Sequence, residues 1–189
     1  MGLMCSWVAI QTEAKAEVLD HLGLIETDEV VEPTERRKLT SVYQNDNGWL
    51  YVCATDFGWA DQARVLDLSR FGMTLGVQTE DKIDMECRVR AADGGRELWA
   101  VAHVNQPGQE LTVSGDPPAA LAEIRRKYET LQADKDDADY LWEIPLALAR
   151  EVSGFRVDED PIDFMAVVSA RSTPEARGGL IARILSVFR

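Results

Sequence analysis

The 189-residue chain carries 20 Lys and Arg against 33 Asp and Glu, a formal charge of −13, with 46% hydrophobic residues. Such a length suits one domain with a real core, and the hydrophobic share excludes a disordered chain. The acid excess excludes nucleic acid as a natural partner, because a binder neutralises phosphates with clustered Lys and Arg, and it favours a basic protein partner instead.

The charge is unevenly spread. Residues 1–170 hold 16 Lys and Arg against 32 Asp and Glu, whereas 171–189 hold four Arg against Glu175. The reading is therefore an acidic α+β domain over 1–170 followed by a basic C-terminal segment over 171–189. Cys5, Cys53 and Cys87 form no C-x-x-C pair and sit in apolar, strand-like runs, as small buried hydrophobes do in a reducing compartment. No apolar stretch reaches the roughly 20 residues that span a bilayer, and the N-terminus lacks a signal peptide's pattern, so cytoplasm is the expected location. Gly2 and Ser6 fit the M-G-x-x-x-S acylation pattern, with Cys5 as a second acylation position, but the same residues read more simply as the start of a first strand.

In chain order, Cys5–Ile10 reads as that strand. Thr12 is a candidate N-cap for a helix through Val18, Leu19 and Leu22, ended by Gly23. Glu26 to Lys38 is charged, contains Pro33 and shows no period, which predicts an exposed connection. Leu39–Gln44 and Trp49–Thr55 flank Asn45-Asp46-Asn47-Gly48, a hairpin turn, and the second strand is apolar on both faces and so central. Asp61–Arg70 predicts a short helix and Thr74–Thr79 a strand. Ile83, Met85, Cys87 and Val89 alternate with charged residues, the period of a strand with one buried face. Turns at Asp93-Gly94-Gly95 and Pro107-Gly108 extend this strand into a three-stranded meander through Leu98–Asn105 and Glu110–Ser114. Pro117-Pro118 then opens a helix through Leu121, Ile124, Tyr128 and Leu131, the acidic run Asp134–Asp139 predicts a solvated loop, and Pro145 opens a compact helix closed by Gly154. The expected fold is α+β, a mostly antiparallel sheet of about six or seven strands with helices packed mainly on one face.

Trp99-Ala100-Val101-Ala102-His103, Gly115-Asp116-Pro117-Pro118, Asp139-Tyr140-Leu141-Trp142-Glu143-Ile144-Pro145 and Gly154-Phe155-Arg156 resemble an uncharacterised family of small acidic bacterial proteins. The resemblance covers residues 1–160 and leaves the basic tail outside it. It implies a shared fold and carries over no catalytic residue.

The chemistry on offer is thin. The two histidines are His21, near a helix C-terminus where a cation suits the dipole, and His103, in strand register with Trp99 and Val101. His103 is the one weak catalytic candidate, as a general base, against the plainer reading of a sheet histidine held by a hydrogen bond. Asp134, Asp136, Asp137 and Asp139, and separately Asp158, Glu159, Asp160 and Asp163, lack the glycine of a calcium loop and read as solvated acids. The common nucleotide, hydrolase and zinc-protease signatures are absent, so no cofactor and no metal is expected. Phe57 and Trp59, in the loop Asp56–Asp61, are candidate partner-binding aromatics, set against packing beneath the next helix. In the tail, Leu180, Ile181, Ile184, Leu185, Val187 and Phe188 form one stripe with Arg183 and Arg189 opposite, which makes Arg183, Ile184 and Phe188 further partner-binding candidates.

The functional expectation is a non-catalytic protein-binding or regulatory module, the immunity type included, that engages a basic partner through its acidic surface. The alternative is a small cytoplasmic hydrolase or transferase using His/Cys chemistry. A membrane is disfavoured as a partner, the C-terminal helix being the one route to it, and a homodimer is allowed. A helix this short, with Gly178 and Gly179 in its first turns, needs a surface to hold it. Deleting 173–189 should therefore lower the melting temperature if that surface is the parent domain, or abolish dimerisation or vesicle binding if it is not. Calorimetry and sedimentation of the truncated chain distinguish the two.

Overall fold

A computed structural model describes residues 4–36, 38–80, 86–105, 111–133 and 138–170. Among these residues nine strands form one sheet: β1 (Met4–Gln11), β2 (Leu24–Val31), β3 (Ser41–Gln44), β4 (Trp49–Ala54), β5 (Thr74–Glu80), β6 (Glu86–Asp93), β7 (Arg96–Val104), β8 (Thr112–Gly115) and β9 (Phe164–Ser169). Their order is β2-β9-β3-β4-β1-β5-β6-β7-β8, and every pairing is antiparallel. Four α-helices accompany them: α1 (Lys15–Leu22), α2 (Gln62–Leu68), α3 (Ala120–Ala133) and α4 (Glu143–Ser153).

The α+β class and the antiparallel sheet agree with the sequence, but the sheet is wider than six or seven strands and its helices lie on both faces. The reason is visible in β4, where all six residues are buried, and in β1, where Cys5 to Ile10 are. Side chains alternate across a strand, so a strand buried throughout needs a cover on each side. On one face Trp7, Tyr51, Val77, Val89 and Val101 pack with Leu121 of α3, with Ile144 and Leu148 of α4, and with Phe155 and Phe164. On the other Val8, Ile10, Leu50 and Val52 pack with Val18 and Leu19 of α1 and with Val65 and Leu68 of α2.

Local sequence explains the element ends. Gly23 and Gly154 close α1 and α4 in the left-handed conformation, with φ of 65° and 78°. Asp61 caps α2 by accepting from the Arg64 amide at 2.8 Å. Thr12 is no N-cap: its hydroxyl accepts from the Ala14 amide at 3.1 Å, one step ahead of a helix that starts at Lys15. The stretch expected as a connection contains β2, whose pattern is masked because Glu26 faces Val167 while Val30 faces Met165, so Thr27, Asp28 and Glu29 bulge opposite Ala166 alone.

Two buried guanidinium groups tie the loop after α4. Arg36, 1% exposed, donates to the carbonyls of Val157 (3.0 Å), Asp160 (2.7 Å) and Ile162, and lies over the rings of Phe155 and Phe164. Burial lowers its pKa, yet an arginine stays charged, so these carbonyls and the ring faces take the place of water. Nothing in the charged run Glu35-Arg36 marks this residue as internal.

Close approach also constrains β5. A Cβ on Gly76 would stand 2.2 Å from a Val65 methyl and 3.1 Å from the Ala60 carbonyl, so α2 sits where only glycine leaves room. Gly76→Ala should cost about 1–3 kcal/mol through overpacking, and Val65→Ala in the same chain should recover part of that loss. Urea unfolding of the two single variants and the double variant checks the non-additivity.

Candidate functional site

The alternation in β6 and β7 places Cys87, Val89, Trp99, Val101 and His103 on the face covered by α3 and α4. Register then lines up a polar row: Thr79 of β5 faces Cys87 of β6, and Cys87 faces His103 of β7. Directly opposed residues on one face of an antiparallel pair hold their Cβ atoms about 4.5–5.5 Å apart, so thiol and imidazole are neighbours.

Asp139 completes the row from the far side. Its Oδ1 accepts from the amides of Leu141 (3.1 Å) and Trp142 (3.4 Å), which shapes the turn into α4, while Oδ2 lies 2.7 Å from His103 Nε2. A carboxylate oxygen can only accept, so Nε2 carries a hydrogen, and in the neutral tautomer of that form the lone pair is on Nδ1. Among the described residues that Nδ1 is buried without a hydrogen-bond partner, as is Trp142 Nε1, whereas the Thr79 hydroxyl faces the Cys87 thiol. The acidic loop expected to be solvated thus contributes an internal residue, the Asp139 side chain being 11% exposed. Asp134, Asp136 and Asp137 lie outside the described residues.

Below this row sits Arg156, 5% exposed, which binds Asp158 through Nε (2.8 Å) and Nη2 (2.9 Å) and Glu143 through Nη1 (2.6 Å). Burial works to lower its pKa, but the hydrogen bonds to Asp158 and Glu143 outweigh burial and hold it above the ordinary arginine value. Asp160 accepts from the Arg156 amide at 2.6 Å and from Arg150 at 2.9 Å, and Glu159 also pairs with Arg150. Asp158, Glu159 and Asp160 of the second acidic cluster are therefore engaged by arginines, while Asp163 is exposed as the sequence suggested. Among the described residues no group of three or more His, Cys, Asp and Glu is placed to hold a metal ion.

Three separated sequence segments converge here: His103 from the strand motif, Asp139, Trp142 and Glu143 from the approach to α4, and Arg156 from its exit. The ingredients resemble a nucleophile, a base and an orienting acid, but they are enclosed. Cys87 is fully buried, and burial pushes its thiol well above the usual range, as it does for Cys53. All three cysteines are buried, in agreement with the sequence reading, and none forms a disulfide among the described residues.

The other candidates lie elsewhere. His21 Nε2 is 2.6 Å from Asp67, which also pairs with Arg70. Phe57 and Trp59 are half-buried in a short 3-10 turn, where Gln78 donates to the Phe57 carbonyl at 3.1 Å and the Arg64 guanidinium covers the Trp59 ring at 4.8 Å. Trp59 also packs against the core of the α1 and α2 face. Arg183, Ile184 and Phe188, with the rest of the expected C-terminal helix, lie outside the described residues. Two open grooves, of about 680 Å³ between Arg96–Trp99 and Gly115–Pro118 and about 540 Å³ around Asp20–Gly23 and Ser169, are lined by neither His103 nor a thiol. No helix among the described residues is long and apolar enough to cross a membrane.

Compared with known proteins, the chain matches no family model, no curated sequence and no solved structure.

The thiols generate a prediction with a definite sign. A thiol whose pKa is raised by folding stabilises the fold below its unfolded value of roughly 8.5, and that contribution is lost as pH rises further. Native labelling of Cys53 and Cys87 should be slow and should become fast in denaturant. The melting temperature should fall above pH ~9, less steeply in Cys53→Ala and Cys87→Ala chains than in the parent.

Proposed function

We propose that the chain is a non-catalytic protein-binding or regulatory module, the immunity type included, that engages a basic partner through its acidic surface. One observation carries the reading: the thiol and imidazole that could do chemistry face inward while a set of carboxylates on and beside β2 faces out. Cys87 is 0% and His103 5% exposed, whereas Asp28, Glu29 and Glu32 are exposed and form no ion pair among the described residues. Buried polar clusters of this kind specify packing, and unpaired surface charge steers partners.

Affinity capture with the full chain, followed by mass spectrometry, tests this. A basic protein should be retained in a fixed ratio, released by salt, and retained equally by His103→Gln and Cys87→Ser chains. Retention that ignores salt, or that disappears with either substitution while the fold persists, overturns the reading.

A second reading, a small hydrolase or transferase using His/Cys chemistry, is favoured by the register that sets Cys87 against His103 and by the Asp139 bond that leaves the His103 lone pair on Nδ1. It requires an opening of α4 from the sheet before any substrate reaches the thiol. Loss of turnover in His103→Gln with an unchanged melting temperature is the result that would establish it.

A further inference from the structure

Among the described residues β2 is the outermost strand on one side of the sheet, with β9 as its one strand neighbour. Its other edge therefore presents main-chain N–H and C=O groups to the surface, the arrangement that accepts an added strand. The side chains along it are unusual for an edge left merely wet. Ile25 is 40% exposed, its cross-strand partner Val168 44%, and Val30 53%, which places apolar surface on both sides of the strand's open length.

Between these apolar residues the bulge carries Asp28 and Glu29 outward. The Glu29 amide is satisfied locally by the Thr27 hydroxyl at 3.2 Å, and that hydroxyl donates to the Ala166 carbonyl at 3.0 Å. The bulge thus interrupts pairing at its centre and leaves two runs, Leu24–Glu26 and Val30–Val31, on which a strand can align. Glu26 is held by Lys15 at 2.7 Å and Glu35 by Lys38 at 2.8 Å, whereas Asp28, Glu29 and Glu32 are left without an ion pair among the described residues. An incoming strand meets these carboxylates as it docks.

We infer that the β2 edge is the partner-binding surface, and that its occupant is an extended basic segment of another protein, added as a tenth strand with its Lys or Arg side chains on Asp28 and Glu29 and its apolar side chains on Ile25, Val168 and Val30. The inference rests on the binding-module reading and names where that module binds. Charge selects the occupant: a second copy of this acidic chain, paired edge to edge, would set carboxylate against carboxylate, which destabilises a strand pair. Main-chain hydrogen bonds give such a complex its affinity, and the alternating side chains give it specificity.

The test uses the isotope-labelled full chain and a defined probe, the capped peptide Lys-Val-Lys-Thr-Lys-Val-Lys, followed by amide chemical shifts. Shifts should concentrate at 24–26 and 30–31 and on β9. A peptide of the same sequence N-methylated at alternate residues keeps its charge but loses the hydrogen bonds of one edge, and it should bind at least tenfold more weakly. The Asp28→Lys/Glu29→Lys chain should also lose at least tenfold in affinity with its melting temperature preserved. The methylated probe leaves the protein untouched, so it decides the matter even if that variant does not fold. Absence of binding, equal binding of the methylated peptide, or shifts confined to another acidic surface would each overturn the assignment to β2. The binding-module reading would survive the last of these, since it is decided separately by the salt-sensitive retention of a basic partner on the full chain.

Discussion

The two-sided burial of β1 and β4 is the constraint from which the rest of the architecture follows. A strand with Trp7, Ala9 and Cys5 on one face and Val8 and Ile10 on the other cannot lie on a surface, because either face left wet would forfeit roughly 1.5–3 kcal/mol for each large apolar side chain. Two pairs of helices follow, α3 with α4 and α1 with α2, one pair for each face. β5 beside β1 is buried throughout as well, and from there burial declines outward to β8, where all four residues are exposed.

Where apolar cover runs out beneath the loop after α4, arginine takes over. Arg36 and Arg156 are both almost wholly buried, yet they solve the desolvation problem differently. Arg36 offers its guanidinium to three backbone carbonyls and two aromatic rings, whereas Arg156 is surrounded by carboxylates. Removing one partner from either arrangement would leave an uncompensated buried group, which costs more than an intact pair contributes. The acidic stretch Asp158–Asp160 is thus fixed in place by the cations it encloses.

Much of the fold was legible in the sequence because it rests on local patterns. The hairpin at Asn45–Gly48, the meander from β6 to β8 and the glycine stops of α1 and α4 each declare themselves through period or turn chemistry. β2 did not, because a bulge destroys period two and an edge strand needs no apolar face. The site was legible only in part. His103 could be placed on its strand, and its pairing with a structural partner was the plainer reading, but its partner Asp139 lay in a run of acids that composition alone assigns to solvent. Arg36 likewise sits among charged neighbours. Pairing across 36 residues, as between His103 and Asp139, or across 121, as between Arg36 and Val157, leaves no trace in spacing. Cross-strand register, which opposes Cys87 to His103, is set by turn lengths that a single sequence states only loosely.

Strand order also bears on how the chain is made. β9 lies between β2 and β3, so a segment synthesised near the start waits for one synthesised near the end before its backbone is paired. The seven strands from β3 to β8, with β1 among them, are all synthesised by residue 115, whereas β9 and the helices α3 and α4 that cover one face of the sheet follow later. Loop closure for the β2 and β9 pair spans 133 to 145 residues, from Val31↔Phe164 to Leu24↔Ser169, a non-local contact of the kind that slows folding. During that interval β2 is a strand without a partner, and β3 presents the open side instead. The exposed carboxylates Asp28, Glu29 and Glu32 along and beside that segment disfavour its pairing with a like strand of another copy, since equal charges set opposite each other destabilise a ladder.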